Sequence, residues 1–170
     1  MRIFVMWSGD NSRKVGEAAT KLLKAALTSA KVFISTQMPA GSLWKEELSK
    51  NLKEANIGIA CFTPENMGSP WMHYESGMIA KMPDHRICTL RIGLTHIVGP
   101  LEERQSTDAL DKEAVFRLVL TLNNDRPLIR RKSESSLRTT FESQWREFSE
   151  VVKSALRAIN SFEHGKRPTS

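Results

Sequence analysis

Short apolar runs alternate along this chain with longer stretches whose apolar residues recur every three or four positions. The first run, Ile3, Phe4, Val5, Met6 and Trp7, is bounded by Ser8, Gly9 and Asp10 and reads as a buried strand. Over residues 12–28 the apolar positions Val15, Ala18, Ala19, Leu22, Leu23, Ala26 and Leu27 keep helical spacing, with Ser12 expected as the cap. Residues 31–35 predict a second strand. Pro39 and Gly41 then break both periods, so residues 37–41 form a loop. Ser42 is placed to cap a helix whose first turn carries Glu46 and Glu47. Leu43, Glu47, Asn51 and Ala55 share one side of that helix, with Trp44, Leu48 and Leu52 beside them. Residues 57–62 give a third buried strand, ended by Thr63 and Pro64. Residues 66–69 form a turn, and Ser69 followed by Pro70 starts a helix that runs to about Lys81, before Pro83.

Residues 86–92 predict a fourth strand. The pattern then weakens, and Leu94, Ile97 and Val98 suggest a short fifth strand near Gly99 and Pro100. Residues 111–122 read as a helix with Ala114, Val115, Leu118, Val119 and Leu122 on its apolar face. A long helix over 134–159 carries the stripe Leu137, Phe141, Trp145, Phe148, Val152, Leu156 and Ile159. Residues 161–170 are polar and lack periodicity, so the expected domain is 1–160, followed by a frayed tail or the start of a linker. Apolar strands alternating with helices predict an α/β fold: a parallel sheet covered by helices on both faces and doubly wound by right-handed crossovers.

Composition narrows the class. With 170 residues, 40% of them hydrophobic and 26% charged, the chain suits one ordinary globular domain. No apolar run approaches the ~20 residues that span a bilayer. The apolar part of the opening segment is also too short for a secretion signal. A cytoplasmic location without a membrane partner is therefore expected. Cys61 and Cys88 each sit inside a strand-like apolar run and read as buried thiols. The net charge of +6 is uneven, with Arg126, Arg130, Arg131, Lys132 and Arg138 crowding one stretch. No aromatic residues interleave with that cluster to stack bases, which argues against nucleic acid as a partner. A solvated basic face, able to attract an anionic dinucleotide, is the simpler reading.

In open parallel sheets ligands bind beyond the carboxyl ends of the strands. Those ends are here Ser8 to Asp10, Thr36 to Gly41 and Thr63 to Ser69, all rich in small polar residues. Neither a dinucleotide glycine fingerprint nor a P-loop is present, nor a GxSxG elbow. The four histidines, His73, His85, His96 and His164, are too scattered for a helical zinc pair, so no metal site is expected. The helix from Pro70 stands out. Trp71 and Glu75, four apart, share one of its faces, and Gly77 costs roughly 1 kcal/mol against alanine in mid-helix. Such a cost often marks close packing or the approach of a ligand. A carboxylate beside an aromatic wall can serve as acid, base or ion stabiliser. By spacing alone, however, a solvated Glu75 and a core Trp71 account for the pair better.

The order of several segments changes that balance. Residues 3–10 resemble the opening strand and loop of bacterial Toll/interleukin-1 receptor (TIR) domains. Ala40, Gly41, Ser42, Leu43 and Trp44 resemble the end of their second (BB) loop. Phe62 to Asn66, followed by Ser69-Pro70-Trp71-Met72-His73-Tyr74-Glu75-Ser76-Gly77, is similar to their third strand and catalytic helix. Gly99-Pro100-Leu101, Gln105, the segment from Asp111 to Asn123 and the helix holding Phe141 and Trp145 extend the likeness over nearly the whole chain. It implies a flavodoxin-like sheet of five parallel strands. It also implies cleavage of the nicotinamide–ribose bond of NAD+, with NAD+ as substrate and no separate cofactor. Carried over by position, Glu75 is the catalytic residue, Trp71 walls the site, and Ser8, Gly9 and Asp10 lie near the substrate. Trp44 is an aromatic contact or, equally, a helix-to-sheet packing residue, and Tyr74 is expected to pack. Many bacterial members act in antiphage defence and are switched on by self-assembly. Here that would run through the loop that begins at Thr36 and ends at Gly41, with a fused or separate sensor domain supplying the signal.

Two features depart from that pattern. The loop Thr36-Gln37-Met38-Pro39 lacks the acidic residue of many relatives, and His73 stands where an apolar residue is expected. Two other functions compete with NAD+ cleavage. One is a non-catalytic TIR scaffold, and the other is a deoxyribosyltransferase-like nucleotide enzyme.

Overall fold

The computed structural model describes residues 1–34, 52–80, 85–98, 101 and 106–165. Their strands are β1 (Arg2–Met6), β2 (Lys31–Ile34), β3 (Ile57–Phe62), β4 (Arg86–Arg91) and β5 (Ser106–Asp108), and their helices are α1 (Asp10–Ala26), α2 (Pro70–Ala80), α3 (Lys112–Asn124) and α4 (Glu134–Gly165). The strands form one five-stranded sheet in the order β2-β1-β3-β4-β5, every pair parallel.

Alternation along the strands builds two cores. Ile3 and Val5 of β1, with Ile57, Ile59 and Cys61 of β3, face a layer made by α1, α3 and α4. Phe4 and Met6, with Ala60 and Phe62, face the opposite layer, where Met72 and Ile79 of α2 pack with Leu52, Ala55, Ile97 and Leu101. Successive strand residues point to opposite faces, so strands apolar at every position require cover on both sides. The expected fold class is thus the observed one. Gly58 allows α2 to lie close on its face, because a Cβ there would come within 2.6 Å of Ile87 Cδ1 and 2.9 Å of Ile79 Cδ1. On the other face, Phe141 of α4 meets Phe116 of α3 edge to face, with ring centroids 5.2 Å apart.

Several expectations are corrected. The fifth strand is Ser106–Asp108, whereas residues 94–98, expected to mark a fifth strand near Gly99 and Pro100, form no strand. Ile97 is nevertheless buried, so its apolar character reports loop packing. Ser12 does not cap α1: Gly9 occupies that position, and Ser12 lies inside the first turn, where its hydroxyl donates to the Ser8 carbonyl at 2.6 Å. The last helix does not stop at Ile159 but continues to Gly165, since no glycine or proline precedes that residue to end it. At α3 the cap is as expected from an aspartate: Asp111 accepts from the Ala114 amide at 2.9 Å.

Both cysteines are buried and free. Burial pushes the Cys61 thiol up to about 12 and, as the largest effect, the Cys88 thiol up to about 11. The thiolate is the reactive form. At mildly alkaline pH the folded protein is therefore expected to leave a thiol-specific chromogenic reagent almost unreacted, and both thiols should react once denaturant is added. Rapid reaction of the folded protein would contradict this packing.

Candidate functional site

Two loops at the carboxyl ends of β1 and β3 are joined by one buried side chain. Asn66 accepts from the Thr63 amide at 2.8 Å through Oδ1. Its Nδ2 donates to the carbonyls of Cys61 and Ser8, each at 3.0 Å. The side chain therefore satisfies three backbone groups from two neighbouring strand ends. The Ser69 hydroxyl adds a 3.3 Å bond to the Ser8 hydroxyl, which ties the start of α2 to the same loop. At the rim, Asn11 donates to the Glu65 carboxylate at 3.1 Å.

The loop after β1 can turn this sharply because of Gly9, whose φ of 88° and ψ of 159° lie in a region open essentially to glycine alone. A Cβ at Gly9 would meet nothing within 4 Å, so any penalty there belongs to the backbone. Gly9→Ala is expected to destabilise the fold by about 1–3 kcal/mol and to disturb Ser8 and Asp10. Chemical denaturation checks this, and an unchanged midpoint would refute the strain. Asp10 begins α1 with its carboxylate 2.6 Å from Arg13 and 2.7 Å from Lys14. Hydrogen bonds from Lys14, then from Arg13, hold its carboxyl below the usual aspartate value. Of the three residues expected near the substrate, Ser8 is therefore fixed by backbone and hydroxyl bonds, Gly9 shapes the turn, and Asp10 is engaged by the cations of its own helix.

α2 leaves this cluster at Pro70, and the Ser69 carbonyl accepts the first helical bond, from His73 N at 3.3 Å. Met72, Glu75, Ser76 and Ile79, the i, i+3, i+4 and i+7 positions of one helix face, are all buried. Glu75 has 0% of its surface exposed. A carboxylate thus occupies a position in the inward stripe of the helix, where packing alone would place an apolar side chain. Putting a carboxylate there is costly unless the site compensates it. The solvated glutamate that spacing favoured is overturned, and so is the core tryptophan, since Trp71 is only half-buried. Tyr74, expected to pack, is 54% exposed and stacks on Trp71 with centroids 6.0 Å apart. Trp71 and Tyr74 thus form an aromatic ledge one turn from the Glu75 backbone. His73 replaces an apolar residue by packing its ring near Phe62 and bonding through Nε2 to the Met67 carbonyl at 3.1 Å. Beside Glu75, Ser76 donates to the Met6 sulfur at 3.8 Å. Gly77 is not explained by close packing, as a Cβ there would meet nothing within 4 Å.

The structure therefore joins Ser8 and Gly9 to the start of the helix that carries Trp71 and Glu75. Trp44 and the loop 36–41 lie outside the described residues. Asn66 was visible in the sequence only as a turn former. The signal that could have singled it out is an asparagine just past a buried strand, where such side chains bond nearby backbone. Among the described residues no group of three or more histidine, cysteine, aspartate and glutamate side chains is placed to hold a metal ion. Nor is any helix there long and apolar enough to cross a membrane.

Residues 3–120 match the family model described as TIR domain. No curated protein matches the chain. Among solved structures, the TIR domains of the activated Roq1 resistosome directly recognising the pathogen effector XopQ are 16% identical, with 89% of this chain and 83% of that chain covered and a TM-score of 0.42. The azoreductase AzrA is 14% identical, with 92% and 99% covered and a TM-score of 0.33. Neither likeness is close enough to carry a conclusion about activity.

Proposed function

The chain belongs to the TIR-domain family, and from that premise we propose that it is an NAD+ hydrolase whose catalytic residue is Glu75. The observation that supports this reading most is the full burial of Glu75 at the motif position of α2. A scaffold has no need of a carboxylate in a packing stripe, whereas a hydrolase that passes through a cationic sugar does.

The chemistry asked of the residues is limited. Nicotinamide leaves NAD+ as a neutral base, so its departure needs no proton. The bond electrons go to the ring nitrogen, and positive charge develops on the ribose. The Glu75 carboxylate would stabilise that oxocarbenium-like centre and accept hydrogen bonds from the ribose hydroxyls. Water adds to the anomeric carbon and releases one proton, which gives ADP-ribose; attack by an adenine nitrogen instead would give a cyclic product. Trp71 and its partner Tyr74 offer an aromatic surface on which a base can stack. Gly9 keeps the approach beside Ser8 free of a side chain.

Glu75 is closed off from solvent in this conformation, so substrate must reach it through a rearrangement of its cover. Self-association through the loop 36–41 supplies such a trigger in this reading. It makes the enzyme silent when dilute and active when assembled, as suits an antiphage response under a sensor domain. The test is incubation of the protein with NAD+ over a range of protein concentrations, following nicotinamide. Specific activity that rises with concentration is expected. No turnover even at the highest concentration would favour the scaffold, and base release from deoxynucleosides but not from NAD+ would favour the deoxyribosyltransferase-like alternative.

A further inference from the structure

At the opposite pole of the sheet, two large aliphatic side chains stand in water. Leu128 is 79% exposed and Ile129 is 94% exposed. They belong to a single 3-10 turn, Leu128–Arg130, in the connection between α3 and α4. The connection is braced and not slack. Asn123 is buried and binds Lys132 twice, donating to its carbonyl at 2.9 Å and accepting from its amide at 3.0 Å. Arg126 is 3% exposed, donates to the Ser29 hydroxyl, and its carbonyl receives the Arg131 Nε at 2.6 Å. The Lys132 ammonium reaches the Ala25 carbonyl, in the last turn of α1, at 3.2 Å. The connection is thus anchored through Asn123, Arg126, Arg131 and Lys132, while Leu128 and Ile129 remain exposed.

Cations surround this tip. Residues 125–134 contain Arg126, Arg130, Arg131 and Lys132 against Asp125 and Glu134. Asp125 is occupied by Arg86 at 2.8 Å. Arg130 and Arg131 are exposed beside the aliphatic pair, and Glu134 opens the next helix. We propose that this tip docks on an anionic lipid surface, with Leu128 and Ile129 entering the boundary between headgroups and acyl chains while Arg130 and Arg131 meet lipid phosphates. A protruding aliphatic pair fits a bilayer better than a protein, because two side chains cover far less than the roughly 800 Å² per partner of a stable protein interface. That no helix among the described residues is long and apolar enough to span a bilayer bears on crossing one and not on lying against one. Arg86 begins β4 and Ser29 precedes β2, so the tip sits at the amino ends of the strands. The cluster of Ser8, Asn66 and Ser69 lies at their carboxyl ends. Docking would therefore leave the Glu75 side of the fold turned away from the membrane.

The test is co-sedimentation of the intact protein with phosphatidylcholine vesicles with and without phosphatidylserine, a readout independent of any NAD+ chemistry. Wild type is expected to bind the anionic vesicles and not the neutral ones. The double variant Leu128→Ser with Ile129→Ser changes only exposed side chains and keeps the net charge. It should weaken binding by about tenfold or more, since the apolar area that would leave water on docking is lost. Arg130→Glu should weaken binding as well and make what remains less sensitive to salt, because a screened charge contact is lost. Two results would overturn the proposal. One is binding to anionic vesicles that the double serine variant leaves unchanged, which would reduce the interaction to net charge. The other is no vesicle binding alongside tip-dependent capture of an acidic peptide, which would give the surface to a protein partner.

Discussion

Asn66→Ala is expected to destabilise the protein by about 2–4 kcal/mol. Removing the amide strands the Thr63 N–H and takes a donor from the carbonyls of Cys61 and Ser8, of which Ser8 keeps its bond from the Ser12 hydroxyl. Each stranded buried group costs on the order of 1–3 kcal/mol, and water entering the space offsets part of the sum. Asn66→Asp separates geometry from volume. It keeps the acceptor for Thr63 but turns a second oxygen toward two carbonyls 3.0 Å away, so it should be at least as damaging at neutral pH. Below the carboxyl's titration range a protonated aspartate can donate one bond again, and part of the stability should return. Denaturant unfolding of both variants across pH checks this. An Asn66→Ala midpoint within the error of wild type would mean that the two loops do not depend on their bridge.

Glu75→Gln carries the second large expected effect: a fall of about a hundredfold or more in nicotinamide release, the scale on which removal of one preorganised electrostatic group is felt. Glutamine keeps the volume of the buried side chain and one of its oxygens but cannot carry the negative charge that faces the developing cation. The variant should therefore retain a cooperative melt while losing turnover. Glu75→Ala would lose both turnover and some stability by leaving a void, so the glutamine variant is the cleaner reading. Trp71→Ala belongs to the same site but should act mainly on KM, as a half-buried stacking surface is lost and the charge is kept.

The architecture was largely written in the apolar runs. β1 and β3 are apolar at nearly every position and β4 is buried through its centre because both sheet faces are covered, and that pattern separates them from the amphipathic helices. β5 was misplaced for the same physical reason inverted. Ser106, Thr107 and Asp108 pair along the sheet edge through their backbone, leave their side chains partly or fully exposed, and so carry no apolar signal. The cap of α1 was misassigned because serine is the commoner cap, whereas the chain turns through the positive φ of Gly9. At the site, spacing put Trp71 and Glu75 on one helix face and could go no further. The resemblance selected Glu75, and the fold added that it is buried in line with Met72, Ser76 and Ile79. The role of Asn66 is not legible in the sequence because it depends on Ser8, 58 positions away in the chain.

The central claim, that a buried carboxylate on α2 cleaves NAD+, rests on one side chain and can be tested on it. Wild type and Glu75→Gln, matched in concentration and shown by circular dichroism and melting to be equally folded, are incubated with NAD+ at the highest concentration at which both stay soluble. Nicotinamide is then followed by chromatography. The account predicts steady nicotinamide release by wild type and release near the no-enzyme background by the variant. Equal release by the two proteins would contradict it and move the chemistry away from Glu75.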